Sequence, residues 1–93
     1  MENKLDLDEI RSNINLIDKE IVKLLEGRFN LVINVGQYKK LNNKNIFDAE
    51  REKIVIEKSK EYLNNKSYEQ YLEKIFLEIM NTCKNIQKEI IWK

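Results

Sequence analysis

Apolar residues in the first part of the chain fall at Ile10, Ile14, Ile17, Ile21 and Leu24, then at Leu31, Val35 and Tyr38, in steps of four and three. That spacing lines one face of an α-helix. The gap in the series falls at Arg28. Asp6, with Glu9 three residues on, has the spacing of a capping box and marks the start of the helix. The string Leu41-Asn42-Asn43-Lys44-Asn45 marks its end, because asparagines favour turns. A helix from Asp6 to Leu41 would be roughly 54 Å long.

A second segment, shorter and heavily charged, runs from near Phe47 to Leu63. A third is expected to start at Ser67, where Gln70 completes another capping-box spacing, and to continue towards Ile91. Its stripe is Leu72, Phe76, Ile79, Cys83, Ile86 or Gln87, and Ile90. The expected fold class is therefore all-α, a three-helix chain with long, short and long members. Neither later segment is long enough to cover the first helix, and 93 residues supply little core. The pattern predicts a helical dimer whose first helices pair.

Composition supports the helices. Proline is absent, the glycines are Gly27 and Gly36, and 35% of residues are charged. A chain of this length reads as one domain, 1–93. Each glycine costs about 1 kcal/mol relative to alanine inside a helix, and close approach of helices at both positions accounts for them. Lys plus Arg is 17 and Asp plus Glu is 16, a net charge of +1. That balance speaks against a nucleic-acid or membrane-surface partner, which calls for a basic excess. The N-terminal MENKLDLDE has no signal-like apolar region and no apolar run reaches membrane length. With a single cysteine, Cys83, the expected location is the reducing cytoplasm. Histidine is absent, which removes the commonest general base and metal ligand, and one cysteine does not make a zinc site. Neither metal nor cofactor is expected.

Several polar residues break the apolar faces. Arg28 interrupts the first stripe, either snorkelling at the core edge, paired with a carboxylate, or facing a ligand. Lys39 follows it by 11 residues, about 20° past three turns and roughly 16 Å along a helix, so the two cations share a face that suits a small dianion. Arg11 lies 17 residues before Arg28, roughly 25 Å away and about 100° around. It is either a surface residue or a contributor to a site in a partner subunit. Asp48, Arg51 and Glu52 form a cluster at the start of the second helix, a pattern that local ion pairs also explain. Gln87 follows Cys83 by four on the third stripe, and a buried glutamine needs partners, in the fold or in a ligand.

Taken together, Leu7-Asp8-Glu9-Ile10-Arg11, Asp18, Leu24-Leu25-Glu26-Gly27-Arg28, Val35-Gly36-Gln37-Tyr38-Lys39 and Asp48-Ala49-Glu50-Arg51-Glu52 resemble the all-helical, type II intracellular chorismate mutases. The likeness covers almost the whole chain and loosens in the third helix, where Phe76, Cys83 and Gln87 keep the spacing. It implies an intertwined homodimer with two shared sites. It also implies rearrangement of chorismate to prephenate on the route to phenylalanine and tyrosine, without cofactor. By the same resemblance Arg28 of one chain and Arg11 of the partner subunit hold the two carboxylates. Lys39 and Gln87 donate to the ether oxygen. Glu52, with the backbone near Asp48, receives the ring hydroxyl, and Arg51 sets local charge. Cys83 stands where the family usually has serine, and a thiol is the weaker hydrogen-bonding group.

Two other functions fit parts of this pattern. Isochorismate–pyruvate lyase shares the fold and a similar cation set, although an acid such as Glu52 favours the mutase. A non-catalytic helical dimerisation module would more simply carry aliphatic residues at Arg28 and Gln87.

Overall fold

A computed structural model describes residues 5–92 of the chain. It is all-helical: α1 (Leu7–Leu41), α2 (Ala49–Glu61), a short 3-10 turn (Lys66–Tyr68) and α3 (Glu69–Ile86), which continues into a π-helical turn (Gln87–Ile91). Two compact units divide the chain, Met1–Asn30 and Leu31–Lys93. Among the described residues no helix is long and apolar enough to cross a membrane.

The start of α1 follows from Asp6. Its Oδ1 accepts from the backbone N–H of Asp8 at 3.0 Å and of Glu9 at 3.3 Å, satisfying donors that have no partner within the helix. Asp8 and Glu9 in the first turn and Lys39 and Lys40 in the last complement the helix dipole. The end of α1 is equally local. Lys44 N–H bonds to Lys39 C=O at 2.8 Å and Asn43 N–H to Lys40 C=O at 3.4 Å, the paired bonds of a Schellman motif. The motif needs a left-handed residue, and Asn43 supplies it with φ of 55°.

In the first unit Ile14, Ile17, Ile21 and Leu24 are all exposed. The stripe that periodicity assigned to a buried face is therefore bare in the single chain. In the second unit α2 packs against α3. Met80 and Cys83 are the buried apolar residues among those described, joined by the polar Ser59 and Gln87. Ser59 is satisfied locally, its Oγ donating to Ile56 C=O at 2.8 Å.

Several boundaries differ from the sequence reading. The second helix occupies Ala49–Glu61 rather than Phe47 to Leu63, because the Asp48 carboxylate caps it, accepting from Arg51 N–H at 3.0 Å. Lys66 Nζ donates to Lys60 C=O at 2.9 Å and Glu61 C=O at 3.4 Å, closing its far end. Ser67 is not the cap of the third helix. Asn65 Oδ1 accepts from both Ser67 N–H and Ser67 Oγ, so the asparagine captures the serine and a 3-10 turn precedes α3. At Gly36 another element does lie close, as expected, but nothing stands within 4 Å of a Cβ built at Gly27.

Candidate active site

Lys39 sits in the last turn of α1, where the Schellman motif fixes its backbone. Its Nζ donates to Ile46 C=O at 2.8 Å, which pins the ammonium over the loop leading to α2. An ammonium carries three N–H donors, and this bond uses one. Beside it lies a cavity of 710 Å³ whose wall includes Tyr38, Lys39, Lys44, Asp48, Glu50 and Arg51. Three cations and two carboxylates line it, and one carboxylate, that of Asp48, is turned to the helix cap. The wall thus carries one cation in excess.

Lys39, Asp48 and Arg51 are thus brought together. Glu52 lies outside this wall, on the next position of α2. Its Oε2 pairs with Lys84 Nζ at 2.8 Å, and the same ammonium stands 4.7 Å from the centre of the Phe47 ring. Both partners of this ion pair are partly buried. Lys84 is a residue that sequence reasoning missed. It lies beside Cys83 but off the apolar stripe, so only the packing of α2 on α3 reveals its partner.

Cys83 and Gln87 are buried on α3 and at the start of the π-helical turn, 4% and 5% exposed. Among the described residues the Gln87 Oε1 accepts no hydrogen bond. A buried amide oxygen without a partner is costly, by about 1–3 kcal/mol, which makes Gln87 a candidate for a contact to a bound molecule. The amide end is twofold, so half a turn about its last bond places N–H where Oε1 stands. Arg11 and Arg28 belong to the first unit, Arg11 exposed and Arg28 half-buried.

The chain matches known proteins along most of its length. The family described as chorismate mutase type II matches residues 10–88. A bifunctional chorismate mutase/prephenate dehydratase of Buchnera aphidicola subsp. Schizaphis graminum is 41% identical over all of this chain and 24% of its own length. The protein of the same description from Buchnera aphidicola subsp. Acyrthosiphon pisum is 42% identical over 89% of this chain and 22% of its own. One from Aquifex aeolicus is 34% identical over 91% and 25%. The chain therefore spans about a quarter of the length of these curated relatives.

Proposed function

The chain belongs to the type II chorismate mutase family, and on that footing we propose that it rearranges chorismate to prephenate as a homodimer with two shared sites. The observation that carries the reading is the arrangement around Lys39: a pinned ammonium on a cavity it shares with Asp48 and Arg51. The buried, unpartnered Gln87 oxygen adds to it.

The reaction fits the inventory of side chains. A Claisen-type rearrangement breaks one C–O bond and forms one C–C bond within a single molecule, with no nucleophile and no proton transfer. It requires a flexible dianion folded into a compact chair, which is a positioning effect. It also requires donors where negative charge develops on the ether oxygen, which is electrostatic preorganisation. In the proposed site Lys39 and Gln87 are those donors. Arg28 and the partner subunit's Arg11 clamp the carboxylates through paired N–H groups. Glu52, steadied by Lys84, receives the ring hydroxyl near the Asp48 backbone, and Arg51 adds positive charge beside it. Cys83 stands beside this set as the weaker thiol counterpart of serine.

The dimer rests on area. The bare apolar stripe at Ile14, Ile17, Ile21 and Leu24 and the small buried core leave a lone chain with little to hold it together. A second copy covering that stripe resolves both.

Adding chorismate to the purified protein and following the loss of its absorbance across pH tests the reaction. Gln87 is neutral at every pH and histidine is absent, so the rate should be nearly flat from mildly acidic to neutral pH. Gln87→Glu should move the optimum towards acid, because only the protonated carboxyl donates. The hydrogen bond that the Lys60 ammonium donates to Glu73 raises the lysine's pKa above its usual 10.5. What that group adds to stability is fully present below its unfolded pKa and is lost only as pH rises through the folded value. It leaves the acid-to-neutral window untouched. A steep wild-type fall inside that window would point to a titrating group in the site besides Gln87, and loss of chorismate no faster than in a protein-free blank would contradict the reaction.

A further inference from the structure

α3 stops being α-helical at Ile86, and Gln87 opens a π-helical turn that runs to Ile91. Such turns are rare and widen the helix by one residue. Here both ends of the turn are tied. Gln87 N–H donates to Cys83 C=O and Lys84 C=O, and Trp92 N–H donates to Gln87 C=O at 3.1 Å.

α1 meets this turn without a side chain. Gly36 is its buried residue, and a Cβ built there would stand 3.0 Å from Gln87 Cγ, 3.2 Å from Ile91 Cγ1 and 3.5 Å from Gln87 Cβ. One helical turn later Lys40 Nζ donates to Ile91 C=O at 2.8 Å, at the other end of the same π-helical turn. Gly36 and Lys40, four residues apart and so on one face of α1, therefore bracket the segment that carries Gln87.

We propose that Gly36 and Lys40 are positioning residues for the Gln87 amide: the glycine gives it room against α1 and the lysine locks the turn that aims it. The inference rests on the proposed mutase reaction for its effect on rate, and on geometry alone for its effect on the amide. Gln87 Cγ is only two bonds from the backbone, so it does not swing clear of a new methyl as a side-chain tip would. Cγ has to give by a few tenths of an ångström, and the amide is expected to follow it. Alanine is also the better helix former, so Gly36→Ala should keep the helix.

In Gly36→Ala, kcat should fall several-fold, given that a displacement of about 1 Å in a site costs up to about 10²-fold and the contact at Gly36 calls for only a few tenths of that. KM should stay within about twofold, since the donor acts on charge developed in the transition state. In a proton–nitrogen correlation spectrum the Gln87 side-chain amide pair, identified by its loss in Gln87→Glu, should shift. Lys40→Met should reproduce a smaller version of both changes, and Lys40→Arg, which keeps a cationic donor, should restore them. If Gly36→Ala does not fold, the two Lys40 variants carry the test alone. An unmoved amide, or a moved amide with kcat unchanged in an enzyme active on chorismate, would overturn the inference. A wild-type protein inactive on chorismate whose Gln87 amide nevertheless moves would sink the proposed reaction and leave the positioning intact.

Discussion

Lys39→Ala is expected to lower kcat by on the order of 10²–10³ or more while leaving a folded protein, the loss that follows removal of one oxyanion donor, about 2.7–4 kcal/mol. The Lys39 ammonium is part-buried and held by the Ile46 carbonyl, so it needs little reorganisation as charge builds on the ether oxygen. Its removal should weigh more on kcat than on KM, because in the proposed site the arginines rather than Lys39 hold the ground-state carboxylates. Stability should change little, since one part-buried bond to Ile46 is lost and the Schellman motif at the end of α1 uses backbone groups only. Circular dichroism and steady-state kinetics on the same preparation separate the two effects. Near-normal turnover in a folded Lys39→Ala protein would remove it from the mechanism.

The second large effect concerns sharing between copies. On a regular helix the 28 residues from Arg11 to Lys39 amount to about 42 Å, too far to serve one small ligand. In the proposed dimer these residues therefore belong to different sites. Arg11→Ala and Lys39→Ala should each be nearly inactive as homodimers, because every site lacks one cation. Unfolded and refolded together in equal amounts, they exchange subunits. In a mixed dimer one site lacks both groups, while the other takes Lys39 from one chain and Arg11 from the other and is whole. Random pairing makes about half the dimers mixed, so about a quarter of all sites should recover, given twofold symmetry. No recovery despite demonstrated exchange would mean that Arg11 does not act across the interface.

The features that were legible in the sequence are those set by neighbours in the chain. Asp6 caps α1 and Asn43 turns it because each acts on groups only a few residues away. Ser67 misled for a related reason. The capping-box spacing was present, but Asn65, two residues earlier, claimed the serine first. The π-helical turn at Gln87 was not legible, since a single turn at a helix end holds too few apolar positions to tell an α from a π period. Gly36 was read correctly as a close-approach position, yet what it approaches, the side chain of Gln87, depends on packing across 51 residues of sequence. The Glu52–Lys84 pair belongs to the same class. Of the candidate site, the grouping of Lys39, Asp48 and Arg51 follows from the short loop between α1 and α2, whereas Arg11 and Arg28 entered through family resemblance and helix geometry.

The most direct measurement uses chorismate carrying an isotopic carbon label at the methylene of its enolpyruvyl group, followed by carbon NMR with and without the protein. Rearrangement within one molecule turns that alkene carbon into a saturated methylene bonded to the ring. This signal should grow one-for-one with the loss of chorismate, at a rate proportional to protein and well above the blank. Appearance of the label as the methyl carbon of pyruvate, or growth no faster than the blank, would contradict the proposed rearrangement.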